Sequence, residues 1–199
     1  MSERELLLLS ATEPDRLGLV AELTKFIAEK GCNVEDSRIV VLGGYAGLMV
    51  LVSGEGTALQ ALLDGLGELR ERHGIRMAPR RVAARRAEQP AAPEMVVHAQ
   101  AIDHPGIIHA LSDIVRRFGG NILELESASE SAPQSGEPLF RLRMTVRLPP
   151  TADSGGLWRE LETAAMGQGV ELEVHPAPAS EGDVVAHGPE RRVRPRSSP

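Results

Sequence analysis

Aromatic side chains are scarce in this chain: three Phe, one Tyr and one Trp among 199 residues. A core with so few rings must be aliphatic, and a stacking surface for bases or sugars is hard to assemble. Cysteine occurs once, at Cys32, which excludes an internal disulfide and a multi-cysteine metal cage. A lone cysteine of this kind reads as a small buried apolar residue. Lysine is confined to Lys25 and Lys30, so nearly all the cation is arginine. Long apolar runs are missing too: Leu6–Leu9 gives way at once to Ser10, Thr12 and Glu13, far short of the ~18 residues a membrane span needs. The opening Met-Ser-Glu-Arg-Glu has neither the basic region nor the apolar stretch of a signal peptide. These absences predict a soluble, cytoplasmic protein with no membrane partner.

The 42% hydrophobic content suffices for a packed core, and 199 residues fit one full domain or two small ones. The net charge of −6 argues against binding phosphate backbones in bulk. That charge is uneven, because seven arginines and one acid, Glu71, lie between Arg70 and Arg86. Such a run reads as a solvated edge strand and linker.

Sliding the chain by 88 residues aligns it with itself without a gap. Asp15 meets Asp103, Gly18 meets Gly106, Leu23 meets Leu111, Gly31 meets Gly119 and Asn33 meets Asn121. Apolar positions keep the same offset, Leu19 with Ile107, Phe26 with Ile114 and Val34 with Ile122. One unit is used twice. In each, a short apolar strand (Leu6–Ala11; Met95–Ala99) precedes an aspartate at a helix N-cap position, Asp15 or Asp103. A helix follows with Val20, Leu23 and Phe26–Ile27, or Ile108, Leu111, Ile114–Val115 and Phe118, on its apolar face. Gly31 or Gly119 stops it. Strands at Val34–Leu42 and Leu48–Val52 flank a Gly43-Gly44 turn; their counterparts, Ile122–Ala128 and Phe140–Leu148, flank a loop from Ser131 to Gly136. One further helix (Leu59, Leu62, Leu63, Leu66, Leu69; Leu157, Leu161, Ala164, Ala165) and a closing strand (Ile75–Val82; Val170–Val174) complete each unit. The order β-α-β-β-α-β, twice, predicts an α+β chain of two ferredoxin-like domains, each an antiparallel sheet with two helices on one face. The boundaries read as 5–82 and 94–176, joined by a proline-bearing linker at 83–93 and followed by a disordered tail at 177–199.

Asp15-x-x-Gly18 and Asp103-x-x-Gly106 hold the chemical interest, each with an asparagine, Asn33 or Asn121, fifteen residues after the glycine. A glycine at a helix start costs roughly 1 kcal/mol against alanine, and close approach of another group to the backbone explains it. The helix N-terminus offers unpaired N–H groups to a carboxylate, and an asparagine offers both donor and acceptor to a zwitterion. A structural account competes with this one: Asp caps the helix, Gly permits tight packing and Asn sits in a turn.

The stretches Asp15-Arg-Leu-Gly-Leu-Val…Gly31-Cys-Asn-Val and Asp103-His-Pro-Gly-Ile-Ile…Gly119-Gly-Asn-Ile resemble the opening of ACT domains, small regulatory modules that pair and bind amino acids at their interfaces. Leu42-Gly-Gly-Tyr-Ala-Gly-Leu48, and Glu130-Ser-Ala-Pro-Gln-Ser-Gly-Glu-Pro-Leu-Phe140 leading to Leu148-Pro149, resemble the tandem-ACT proteins of the glycine cleavage system transcriptional repressor family. The resemblance spans residues 5–176. It departs at Leu17, where unit two carries Pro105, and at Cys32, where unit two carries Gly120, so the first unit is the more divergent.

The resemblance implies a non-enzymatic regulator that senses a small amino acid, glycine or similar, and acts through a protein partner such as a transcription factor. It implies no cofactor and no direct sequence-specific DNA binding. By position, the ligand contacts are Leu17, Gly18, Leu19 and Asn33 in one unit and Pro105, Gly106, Ile107 and Asn121 in the other, with Asp15 and Asp103 as caps or ligands. ACT units pair sheet edge to edge, here within one chain or between the chains of a homodimer. The apolar run Leu48–Val52 further suggests that the outer sheet face of unit one is covered.

Other classes fit less well. His98, His104 and His109 are six and five residues apart and fall on a strand, a turn and a helix, which is no metal-ligand spacing. An acylphosphatase-like enzyme would use a loop arginine; Arg16 is in the right loop, but unit two has His104 there. RNA binding on the open sheet would need rings beside Arg141, Arg143 and Arg147, and Glu124 and Glu126 stand on the neighbouring strand to neutralise them. An interaction scaffold that needs no small molecule is the remaining alternative.

Overall fold

A computed structural model of the chain describes residues 5–82, 92–131 and 136–177. The expected tail from 178 onward and most of the expected linker lie outside the described residues, as does the centre of the Ser131–Gly136 loop. The chain divides into two compact units, Met1–Ala87 and Glu88–Pro199.

The first unit contains β1 (Glu5–Pro14), α1 (Leu19–Glu29), β2 (Asn33–Leu42), β3 (Tyr45–Gly54), α2 (Gly56–Asp64), α3 (Leu66–His73) and β4 (Ala78–Val82). The second contains β5 (Glu94–Ile102), α4 (Ile107–Arg117), β6 (Asn121–Ser131), β7 (Pro138–Arg147), α5 (Ser154–Gly167) and β8 (Glu171–Pro176). The sheets run β2-β3-β1-β4 and β6-β7-β5-β8, antiparallel throughout. This is the ferredoxin-like α+β architecture, built twice. Even the irregularity repeats: both edge strands slip register at the same place, between Val34 and Asp36 and between Ile122 and Glu124.

Period-two alternation puts one face of each sheet into an aliphatic core. Leu7, Leu9, Leu48, Val50 and Val52 pack under Leu23, Ile27, Leu59, Leu62 and Leu69 in unit one. Phe140, Leu142, Met144 and Val146 pack under Leu111, Val115, Leu157 and Leu161 in unit two. The Gly43–Gly44 hairpin takes φ of 58° and 82°, the left-handed pair that a two-residue turn matched to strand twist requires. Gly31 and Gly119 follow the first helix of each unit in the left-handed conformation. Cys32 N–H bonds to Ile27 O and Gly120 N–H to Val115 O, closing each helix with a Schellman motif.

Two helix details differ from expectation. Val20 and Ile108 are exposed, and Leu19 and Ile107 are buried in their place, because each helix starts at that residue and its first turn faces the sheet. The expected single second helix of unit one bends at Gly65 into α2 and α3. The i→i−4 bonds continue through the bend, from Gly65 N–H to Ala61 O and from Leu69 N–H to Gly65 O. A Cβ on Gly65 would stand 2.9 Å from both Phe26 Cζ and Lys30 Cε, so α1 lies against the bare backbone there.

Cys32 is a packing residue. A Cβ on Gly54 would come 3.1 Å from Cys32 Sγ, and one on Gly120, the counterpart of Cys32, would come 3.0 Å from Leu148 Cδ2. Leu148 is the counterpart of Gly54, because Glu5 pairs with Gly54 and Pro93, 88 places on from Glu5, accepts the Leu148 N–H. The two units fill the same gap from opposite sides: Cys against Gly in one, Gly against Leu in the other. Burial pushes the Cys32 thiol pKa up, away from the reactive thiolate.

Candidate functional site

The loop between the first strand and first helix is built alike in both units. Strand pairing carries one residue past the ends of β1 and β5: Asp15 N–H donates to Gly44 O at 2.9 Å, and Asp103 N–H to Pro138 O at 2.8 Å. A turn follows, and then Gly18 (φ 87°) and Gly106 (φ 105°) stand as the helix N-caps in left-handed geometry. No side chain caps either helix, so Asp15 and Asp103 are not the caps the sequence suggested. They lie three residues too early, because a left-handed glycine turns the chain again before the helix begins. The glycines are therefore explained first by backbone conformation, which a side chain would strain by about 1–2 kcal/mol.

The surroundings of the two glycines differ. In unit one, Arg16 grips Glu22 with both terminal nitrogens, Nη1 to Oε1 at 3.0 Å and Nη2 to Oε2 at 2.6 Å. Its Nη2 also donates to His73 O at the end of α3, at 2.7 Å. His73 Nδ1 lies 3.2 Å from Glu22 Oε2, and Glu22 Oε1 is 3.5 Å from where a Cβ on Gly18 would stand. The Arg16 hydrogen bond holds the Glu22 pKa below the ordinary carboxylate value, with the charges of Arg16 and His73 adding to it. The Arg16 pKa is raised in return. Glu13, 6% exposed, accepts the Arg76 N–H at 2.6 Å beneath this cluster.

In unit two the counterpart of Arg16 is His104, that of Glu22 is Ala110 and that of Glu13 is Ala101. His104 makes the same tie to the end of the last helix, with Nε2 3.2 Å from Gln168 O, while Nδ1 lies 3.2 Å from Pro105 O. A Cβ on Gly106 would meet no atom within 4 Å. The side of Gly106 is therefore open, with Ala110 at the place where unit one has the carboxylate of Glu22. Sequence reasoning singled out Arg16 only as a possible catalytic arginine and passed over Glu13, Glu22 and His73; the acid in the first turn of α1 was the available signal.

Asn33 and Asn121 open β2 and β6 and are exposed. They do not meet the glycine of their own unit. Asn33 pairs across to Ser53, which pairs to Leu6 at the start of β1, whereas the glycine loop follows the other end of that strand, beside Gly44. The eleven residues of α1, about 16 Å of helix, separate the two. The Asn33 amide nitrogen donates to Glu35 Oε1 at 3.2 Å, and Ser53 Oγ donates to the same carboxylate oxygen.

Exposed apolar side chains gather along the same edge of each unit. Leu17 is 100% exposed, and Val20, Ile39 and Val41 are also open. In unit two Ile108 repeats Val20, and Leu123 and Leu125 are open nearer the start of β6, while the counterparts of Ile39 and Val41 are Ser127 and Ser129. On the open face of the second sheet, Arg143 reaches Glu124 at 3.0 Å, Arg141 reaches Glu130 at 3.3 Å and Arg147 reaches Glu94 at 2.6 Å. The expected neutralisation occurs, with Glu130 and Glu94 among the partners and Glu126 only opposite Arg143 in register. Among the described residues, no three His, Cys, Asp or Glu side chains are grouped to hold a metal ion. No described helix is long and apolar enough to cross a membrane.

Residues 5–78 match the ACT domain family model. The chain is 27% identical over 158 residues to the glycine cleavage system transcriptional repressor of Escherichia coli (strain K12), a match spanning 79% of this chain and 82% of that protein. The repressor of Shigella flexneri matches equally. A crystal structure of an unknown protein from Galdieria sulphuraria superposes with a TM-score of 0.72 at 26% identity, over 88% of this chain and all of that one. Another, provisionally named a glycine cleavage system transcriptional repressor, shares the fold with a TM-score of 0.66 at 20% identity, over 88% of this chain and 98% of that one. The second unit repeats the topology of the matched first unit strand for strand, and across both units the chain is similar to the glycine cleavage system transcriptional repressors, its first unit matching the ACT domain.

Proposed function

We propose that this chain is a non-enzymatic sensor of a small amino acid, glycine or a close analogue, and that it passes the signal to a protein partner such as a transcription factor. The contrast between the two glycine loops carries the reading. In unit one the side of the helix start is taken by Glu22 and Arg16 of the same chain. In unit two the corresponding space is open. Free N–H groups at the start of α4 suit an amino-acid carboxylate, and with Ala110 in place of a first-turn carboxylate nothing repels it. The effector is assigned to the Pro105–Gly106–Ile107 loop.

An asparagine completes the site from a second copy of the chain. Because Asn33 stands at the far end of its own helix from Gly18, antiparallel pairing of two copies along an edge of this type brings the asparagine of one to the glycine loop of the other. The exposed apolar residues along those edges support such pairing. The partner acts on DNA in this reading, and the chain itself does not.

Thermal unfolding of the full chain against a panel of amino acids tests the proposal. Glycine or serine is expected to raise Tm by several degrees, since a ligand at about 100 times its Kd adds about 2.7 kcal/mol to the native state. Gly106→Asn, a residue that tolerates left-handed geometry, is expected to remove the shift, and Gly18→Asn to leave it. A panel that moves nothing overturns the sensor and leaves the interaction scaffold.

A further inference from the structure

The outer faces of the two sheets have opposite chemistry. On unit one, Leu6, Leu8, Met49, Leu51 and Val82 form a continuous apolar band across β4, β1 and β3. Leu6, Leu8, Met49 and Leu51 stand outside the aliphatic core, and Met49 is 51% exposed. At the places of Met49 and Leu51, unit two carries Arg143 and Thr145, opposite His98 and Val96. The same fold therefore tolerates a polar outer face, and the apolar band of unit one is not needed for folding.

We propose that this face is the contact between two copies of the chain, stacked sheet on sheet about a two-fold axis. Three observations favour a second copy as the occupant. Four strands 4.8 Å apart over the paired length present roughly 500 Å² of sheet, so two copies cover about 1,000 Å², the lower bound for a specific interface. The band itself carries no charge, and Asp36 and Arg38 on β2 neutralise each other at 2.9 Å, so the face meets its own copy without like-charge repulsion. A two-fold axis along the strands also lays β4 of one copy over β2 of the other, which sets Arg80, opposite Leu8 in register, toward Asp36. The second unit's face, with Arg141, Arg143, Glu124 and Glu130, would have to desolvate its ion pairs to serve as the cover.

This contact is independent of the amino-acid site, since it uses the sheet face away from the helices. Sedimentation equilibrium of the full chain without amino acids tests it. The chain is expected to be dimeric, and Met49→Arg with Leu51→Thr, which installs the pair unit two carries, to weaken self-association about 100-fold or more, because each change acts twice across the axis. Circular dichroism checks that the variant folds. Arg143→Glu on unit two is the control and should leave the mass unchanged. A chain that stays monomeric, or a dimer that survives the double substitution, overturns the proposal; the first result gives the face to a different protein and the second places the dimer contact elsewhere.

Discussion

Arg16 and Glu22 are joined through both terminal guanidinium nitrogens across the start of α1, and Arg16 is tied in turn to His73 O at the end of α3. The same loop in unit two keeps the tie to the last helix, through His104 and Gln168 O, and has Ala110 in place of the carboxylate. A duplicated unit has kept its loop geometry and changed what stands beside the glycine.

The Glu22 pKa is held below its ordinary value, chiefly by the Arg16 hydrogen bond. A depressed folded value means that the contribution is complete above the ordinary carboxylate range and is lost as pH falls through the depressed value. An NMR titration of the Glu22 carboxyl should show a midpoint below the usual range in the wild type and a return toward it in Arg16→Ala. Equal midpoints in the two proteins would contradict the grip.

Gly18→Ala and Gly106→Ala should each destabilise by about 1–2 kcal/mol in urea unfolding, since both put a Cβ at positive φ. Asparagine at either place should cost less. If alanine is neutral, the glycines are there for ligand access alone and the conformational argument fails.

Gly120→Ala should cost about 1–3 kcal/mol, because its Cβ would stand 2.9 Å from Val115 Cγ1 and 3.0 Å from Leu148 Cδ2. The matching position in unit one already holds Cys32, accommodated by Gly54. The Cys32 thiol should resist modification by a disulfide reagent in the native state and react on unfolding.

Gly65→Ala sets two effects against each other. Helix propensity favours alanine by about 1 kcal/mol, while overpacking against Phe26 costs about 1–3 kcal/mol. Packing should win, giving a net loss of about 0–2 kcal/mol in urea unfolding. A clear gain would mean that α1 moves aside.

The repeat at an offset of 88, the alternation along Phe140–Leu148 and the helix-stopping Gly31 and Gly119 were all legible in the sequence, because each is a local pattern with one backbone solution. The caps were not. An aspartate before a helical pattern normally caps it, and only the left-handed φ of Gly18 and Gly106 shows that the chain turns again first. Asn33 misled through nearness in sequence: fifteen residues that include a whole helix end on the far side of the unit. The Arg16–Glu22–His73 cluster joins residues 57 positions apart, which no local pattern reveals.

The second glycine loop is the proposed seat of a small amino acid, and backbone amide NMR of the full chain titrated with glycine tests this. Shifts are expected at Gly106 and Ile107 together with an asparagine at the start of β2 or β6, and little change at Gly18. Shifts confined to the Gly18 loop, or none at saturating glycine and serine, would contradict it.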